Sequence, residues 1–360
     1  MAATASGPIR KRGVLMSEMF LLLAGGLLIL IVCGDFLVQG ASALAARYGL
    51  SPLLIALTIV AFGTSAPELL VSVRAALAGV PGIALGNVVG SNIANILLIL
   101  GIPALIAPIA CAGRTVPHNM IIMMAASVLL VVLCFVGPLG FWQGILLVSL
   151  LAAYLFYSGW DARKNPYCAA TEGGAVAPPD RPDDVFRGSA ASAHDLPHGD
   201  IEPKDLSRGL IAFKIITGIV GLPLGARLVV DGGIEIAEAF GVSDAVIGLS
   251  LIAIGTSLPE LATSVMAVFR RNDDMVVGNI IGSNIMNILA ILGVTAIIAP
   301  LPVASDFLSF HLWVMLGAVV LLLPAAMMNR KVGRVSGLVF LAAYGAYLYA
   351  MFALGHMPAA

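Results

Sequence analysis

The chain has 360 residues, of which 60% are hydrophobic and 11% are charged, and its formal net charge is −1. Soluble domains carry about 25% charged residues, so this composition excludes an ordinary soluble protein and indicates a membrane protein. A net charge this close to zero does not identify a partner.

Ten apolar segments are long enough to cross a bilayer, which takes about 20 residues in a helix. They are predicted near 17–38, 51–77, 83–109, 118–137, 140–160, 208–231, 243–268, 275–300, 308–328 and 334–355. The predicted fold is an all-α polytopic membrane protein with ten transmembrane helices. The first segment is too long for a signal-peptide core, and no small-residue cleavage pattern follows it.

Positive residues are distributed unequally between the two sides of such a protein. The side that carries the loop after the fifth span holds 13 Lys and Arg residues, and the other side holds only Arg10, Lys11 and Arg12. Lys and Arg are enriched in cytoplasmic loops. This bias predicts that the loop is cytoplasmic and that both termini lie outside, although the basic amino-terminal tail favours the opposite orientation.

A short motif interrupts the second and seventh apolar segments. It reads "AFGTSAPELL" at 61–70 and "AIGTSLPELA" at 253–262. Each copy places a proline and a carboxylate in a segment that is otherwise suited to lipid. Proline removes a helix hydrogen bond, and an ionisable group inside the membrane is costly.

The motif is part of an internal repeat with an offset of 192 residues. "GNVVGSNIANILLILG" at 86–101 aligns with "GNIIGSNIMNILAILG" at 278–293, and 22 of the 41 positions between 61–101 and 253–293 are identical. Each half has five predicted spans. Because five is odd, the second half must enter the membrane from the opposite side, which predicts an inverted repeat of the kind found in many transporters.

The repeat divides the chain into three predicted parts. Residues 1–160 form the first repeat, 161–207 a cytoplasmic linker and 208–360 the second repeat. The linker is rich in Pro, Gly, Ala, Ser and charge, which predicts a flexible segment. A regulatory metal site at His194, Asp195, His198 and Asp200 is the alternative interpretation of this linker.

The repeated motifs bring oxygen-bearing side chains to one side of each helix. Thr64, Ser65 and Glu68 share a helix face because they lie three and four residues apart, and Pro67 leaves nearby carbonyl groups unpaired. In the following helix Asn87, Ser91 and Asn95 recur at four-residue intervals. The second repeat supplies the matching set: Thr256, Ser257, Glu260, Asn279, Ser283 and Asn287.

Brought together, the two sets would form a cage of hard oxygen ligands. Such ligands suit calcium and sodium, whereas zinc and copper favour His or Cys. Polar residues in membrane helices also serve only to tie helices together, and both interpretations stay open for Asn92 and Asn284. Asn87 and Asn279 are predicted to cap or brace the start of their helices. Glu68 and Glu260 are predicted to be functional, as intramembrane carboxylates usually are.

These two motifs resemble the paired repeats of the calcium/cation antiporter superfamily, in its bacterial sodium/calcium exchanger branch. The resemblance implies that the family's ion ligands fall on ten side chains, with the backbone carbonyls of Ala61 and Ala253 as further ligands. The ten are Thr64, Ser65, Glu68, Ser91, Asn95, Thr256, Ser257, Glu260, Ser283 and Asn287.

The resemblance implies a secondary antiporter in the bacterial inner membrane, not an enzyme. Its partners would be calcium, sodium and the lipid bilayer, with no cofactor, nucleic acid or obligate protein partner. Sodium would exchange for calcium by alternating access as the first and sixth spans slide across a fixed bundle. Proton/calcium exchange, or exchange of another divalent cation, is the alternative. A more remote alternative is an intramembrane enzyme that uses Ser65, Ser257 or the pair Asp273 and Asp274.

Asn287 departs from the pattern of some relatives, including potassium-dependent exchangers, which carry Asp at this position. With Asn95 also neutral, the predicted site has only two carboxylates, Glu68 and Glu260. Their charge balances one calcium ion or two sodium ions. Exchange is therefore predicted to run without potassium.

Overall fold

The computed structural model describes residues 16–111, 115–164, 206–239, 253–328 and 330–353. Its helices are α1 Met16–Tyr48, α2 Pro52–Thr64, α3 Ala66–Leu77, α4 Pro81–Ile106, α5 Val116–Val136, α6 Phe141–Lys164, α7 Arg208–Ala239, α8 Ala253–Thr256, α9 Leu258–Phe269, α10 Asp273–Ile298, α11 Phe307–Met327 and α12 Arg334–Ala353. Two short strands, β1 Ile109–Ala110 and β2 Lys331–Val332, form an antiparallel ribbon.

The all-α membrane architecture predicted from the sequence is confirmed. Within the described ranges, eight helices are long and apolar enough to cross a membrane, and α2 with α3 makes a ninth span that is bent by 44°. The predicted seventh span begins at 243, and 240–252 lie outside the described residues, as does most of the 161–207 linker. The count of ten spans and the three domain boundaries stay predictions.

Two helices extend further than hydropathy predicts. Helix α1 continues to Tyr48 instead of ending near 38, and α7 continues to Ala239 instead of ending near 231. The added turns contain polar residues such as Gln39 and Arg47, which lower the mean hydropathy without breaking the helix. Apolar composition marks the lipid-exposed length of a helix, and the helix itself runs on past that length.

Helices α1 and α7 pack closely along their length in opposite directions. A Cβ atom added at Gly26 would lie 2.8 Å from the carbonyl oxygen of Gly225, and one added at Gly218 would lie 2.6 Å from the Cβ of Leu37. Residues late in α1 thus contact residues early in α7. Small residues at such crossings let helix backbones approach, which is how membrane helices gain contact where the hydrophobic effect is weak.

Equivalent contacts recur between the two halves of the protein. An added Cβ at Gly337 in α12 would lie 2.8 Å from the Gly101 carbonyl oxygen, and one at Gly144 in α6 would lie 2.6 Å from that of Gly293. Gly101 and Gly293 are separated by the repeat offset of 192 residues. The contact of α4 with α12 is therefore matched by that of α10 with α6, which supports the inverted repeat.

A row of polar side chains on α1 contacts other helices. Asp35, Gln39 and Ser42 lie four and three residues apart and so share one helix face. Arg270, just after α9, forms an ion pair with Asp35, and its Nη2 donates to Asp35 Oδ2 at 3.0 Å. Gln39 donates to the same oxygen at 2.6 Å and accepts from Lys214 of α7.

The crossing of α1 and α7 yields a prediction about stability. Gly218→Ala should lower the melting temperature of the purified protein in detergent, because the new methyl group would lie 3.0 Å from the Leu37 Cα. Overpacking of this kind lowers the free energy of unfolding by about 1–3 kcal/mol. Thermal unfolding followed by tryptophan fluorescence measures the loss.

Gly25→Ala is the matched control on the same pair of helices. No atom outside the local backbone lies within 4 Å of its added Cβ, so the melting temperature should hold or rise slightly. Alanine favours a helix over glycine by about 1 kcal/mol. Equal losses at both positions would show that the close crossing does not determine stability.

Candidate ion-binding site

The membrane segment at 52–77 is broken at the sequence motif. Ser65 leaves helical geometry with φ −84° and ψ 4°, and Pro67 follows at the second position of α3. Ser257 has nearly the same angles, φ −92° and ψ 3°, before α9. Each break starts a new helix and places Glu68 or Glu260 in its first turn, where the helix dipole favours negative charge.

The two copies of the motif meet across the repeat boundary. The Ser65 hydroxyl donates to Glu260 Oε1 at 3.3 Å, and the Thr64 hydroxyl donates to Asn279 Oδ1 at 3.4 Å. Glu68 is 1% exposed and Glu260 2% exposed. Two carboxyl groups that lie 192 residues apart in the chain therefore share one buried polar region.

Asn87 and Asn279 brace the backbone next to these carboxyl groups. The side-chain amide of Asn87 donates to the Glu68 carbonyl at 3.1 Å and to Ser72 Oγ at 2.9 Å. Asn279 contacts the equivalent groups of the other half, the Glu260 carbonyl at 3.5 Å and Ser264 Oγ at 3.3 Å. They thus hold the neighbouring helix and do not cap their own, which refines the sequence prediction.

Many polar atoms in this region have no hydrogen-bond partner within the described part of the chain. Eight such buried atoms belong to the predicted ligands: both carboxylate oxygens of Glu68, both amide atoms of Asn95, and one oxygen each of Ser257, Glu260, Ser283 and Asn287. Buried polar groups are normally paired, because an unpaired one costs about 1–3 kcal/mol. The concentration of unpaired oxygens is what a cation site requires.

The other predicted ligands differ in burial and in hydrogen bonding. Ser91 is buried in α4. The carbonyl of Ala61 accepts the Ser65 backbone N–H at 3.0 Å and the Thr64 hydroxyl at 3.3 Å. Ala253 begins α8, and Thr256 ends it, half-buried. Across the described ranges no group of three or more His, Cys, Asp or Glu side chains is placed to hold a metal, so this region offers mainly neutral oxygens around two carboxyl groups.

In each half a π-helical turn begins at the asparagine that is predicted to be an ion ligand, and the sequence did not predict this turn. One covers Asn95–Ile99 within α4, and the other covers Asn287–Leu292 within α10. A π-turn inserts one extra residue into a helix and often occurs at functional sites. Periodicity analysis assumes 3.6 residues per turn and has no signal for such an insertion.

Comparison with known proteins identifies the family. The profile of the sodium/calcium exchanger protein family matches residues 18–160 and 210–353, which is most of both halves. The chain belongs to this family. The suspected relationship to calcium/cation antiporters is therefore confirmed, and the protein is a membrane antiporter for calcium and other cations.

Individual relatives align over most of the chain. The sodium/calcium exchanger MaX1 of Methanosarcina acetivorans is 34% identical over 92% of this chain and 98% of its own length. The inner membrane protein YrbG of Escherichia coli is 36% identical over 78% of this chain and 79% of its own. The solved structure of the sodium-calcium exchanger NCX_Mj superimposes with a TM-score of 0.73 at 30% identity, covering 94% of this chain and all of its own.

Family membership also excludes the enzyme interpretation. Sodium/calcium exchangers are transporters without a cofactor, and the ions are their substrates. The structure gives Asp273 another role, because its Oδ2 accepts the backbone N–H of Ala110 at 2.9 Å. Asp273 thus joins the start of α10 to the ribbon strand β1.

Proposed function

We propose that this exchanger moves calcium against sodium through one oxygen-lined site shared by its two halves. The observation that carries the proposal is the meeting of the two motifs, in which the Ser65 hydroxyl contacts the Glu260 carboxyl group at 3.3 Å. The similar proteins MaX1 and NCX_Mj are both named as sodium/calcium exchangers, which supports the same pair of ions.

The proposed ligands combine two charges with neutral oxygens. They are Thr64, Ser65, Glu68, Ser91, Asn95, Thr256, Ser257, Glu260, Ser283 and Asn287, with the carbonyls of Ala61 and Ala253. Hard oxygen ligands of this kind suit calcium and sodium. The unpaired atoms of Glu68 and Asn95 support their inclusion most directly.

Charge balance explains why one site can couple two ions. The carboxylates of Glu68 and Glu260 offer two negative charges, which one calcium ion or two sodium ions neutralise. An uncompensated charge at this depth is costly, so the site favours binding either one calcium ion or two sodium ions, which leaves it neutral. Because calcium and sodium use overlapping oxygens, binding of one displaces the other, and that competition couples their transport.

Alternating access is the proposed route between the two sides. The close antiparallel contact of α1 and α7 supports their movement as a unit, since glycines bring the two backbones together at Gly26 and Gly225. This pair would slide across the remaining bundle to open the site to either face. Domain pairs in other repeat transporters rock or slide in a comparable way.

The proposed location is the bacterial inner membrane, which is supported by the similarity to the Escherichia coli inner membrane protein YrbG. The 13 Lys and Arg residues on one side, against three on the other, support a cytoplasmic linker and outward termini.

The coupling ion is tested by calcium-45 uptake into proteoliposomes. An outward sodium gradient should drive uptake, and a proton gradient alone should not. Uptake driven by the proton gradient, with no response to sodium, would replace this proposal with proton/calcium exchange. A proton on each carboxyl group would then substitute for sodium.

The carboxyl groups give the next prediction. Glu68→Gln or Glu260→Gln should abolish calcium exchange and leave a folded protein, because half of the charge that compensates calcium is lost. The same flux assay measures the effect, and size-exclusion elution in detergent checks the fold. Asp231→Asn is the control, since it removes a carboxylate from an exposed ion pair with Arg227. A near wild-type rate in either glutamine variant would refute the site.

A third prediction concerns the charge at position 287. Wild-type exchange should not require potassium, and Asn287→Asp should create a new dependence on potassium or on pH. The added carboxylate needs a further cation or a proton at a depth where an unpaired charge is costly. Sodium-driven calcium flux, with and without potassium and across a pH series, measures this dependence.

Asn95→Asp tests the equivalent position of the first half in the same assay. A potassium requirement in the wild type, or unchanged ion dependence in Asn287→Asp, would refute the charge balance proposed for this site.

A further inference from the structure

Asn92 and Asn287 form a hydrogen bond between the two halves of the protein. The Asn287 Nδ2 donates to the Asn92 Oδ1 at 3.1 Å, and both side chains are 1% exposed. Asn92 is not among the ligands that the sequence motifs imply. It lies three residues before Asn95 on α4, and its side chain contacts the site asparagine of α10.

This bond fixes which end of the Asn287 amide is available. The NH₂ group donates to Asn92, and the carbonyl oxygen Oδ1 is the end that has no hydrogen-bond partner among the described residues. A flipped amide would place two carbonyl oxygens against each other in a buried region, which costs more than the lost hydrogen bond alone. Asn287 therefore presents an acceptor, the kind of atom that a cation needs.

The NH₂ group of the Asn92 side chain also has a contact. Its Nδ2 lies 3.8 Å from the Sδ of Met315, a weak acceptor on α11. If Asn92 flipped, its NH₂ would face the NH₂ of Asn287, and its carbonyl would face sulfur. The observed orientation is thus the favourable one for both amides.

The equivalent bond is not made in the other half. Asn284 corresponds to Asn92, but its Nδ2 donates to the Ile280 carbonyl of its own helix at 2.7 Å. Asn95 corresponds to Asn287, and neither of its amide atoms has a hydrogen-bond partner among the described residues. The sequence repeat is symmetric at these positions, and the hydrogen bonding is not.

We propose that Asn92 is a positioning residue that orients Asn287 so that its carbonyl oxygen faces the transported ion. The proposal rests on the proposed function, because it assumes that Asn287 is an ion ligand. Groups that hold a metal ligand in place typically contribute 10- to 100-fold to metal affinity. Asn95 lacks this support, so the two asparagine ligands contribute unequally.

A double-mutant cycle tests this proposal on the full-length protein in detergent. Apparent calcium affinity is measured from the calcium-dependent rise in melting temperature. Asn92→Leu removes the acceptor at similar size and should weaken calcium binding at least about tenfold. Asn92→Ala, which adds no bulk, is measured in parallel in case the leucine variant does not fold. Neither change should weaken binding further in an Asn287→Ala background.

Asn284→Leu is the matched control. It removes an amide at the equivalent position whose hydrogen bond, within the described part of the chain, is made to its own helix, so calcium affinity should change far less than it does at Asn92. Flux measurements should agree: the calcium KM should rise in Asn92→Leu while the maximal rate is largely kept.

The outcomes separate this inference from the proposed function. A wild type whose melting temperature does not respond to calcium would overturn both. A calcium-responsive wild type in which the Asn92 and Asn287 effects simply add would overturn the positioning role alone. So would an equal loss of calcium affinity in Asn284→Leu.

Discussion

Two carboxyl groups buried in a membrane protein are the constraint on which the rest of this structure depends. Glu68 and Glu260 are almost fully buried, and a charge at that depth is stable only with compensation. The broken helices place both groups at helix amino termini, where backbone dipoles favour negative charge. Hydroxyl groups and braced carbonyls complete the surroundings. The chain thus places both carboxyl groups where helix dipoles and neighbouring polar groups offset part of the cost of burying their charge.

The two halves share the asparagines that brace the carboxyl-bearing helices, and they differ in their ion pairs. Asn87 and Asn279 brace the carboxyl-bearing helices in the same way. The ion pair of Asp35 with Arg270 has no equivalent, since the residue one repeat offset after Asp35 is Arg227, which pairs within its own helix. A site shared by two copies needs matching ligands. The two ends of the protein face different compartments and need not match.

The sequence was sufficient for the membrane fold and for identifying the two motifs that the structure brings together. A motif that repeats Gly, Pro, Ser and Glu in register carries that information, and the contact of Ser65 with Glu260 confirms that the two copies meet. The π-turns could not be predicted, because one inserted residue leaves no mark in an apolar pattern. Nor could the orientation of Asn92, which depends on packing between distant helices.

The paired π-turns show that the two halves share local backbone geometry as well as sequence. Both begin at the same repeat position, Asn95 and Asn287. The bond between Asn92 and Asn287 joins the halves on one side only, although both halves carry the same two asparagines. This asymmetry therefore comes from the way the helices pack and not from a difference in sequence.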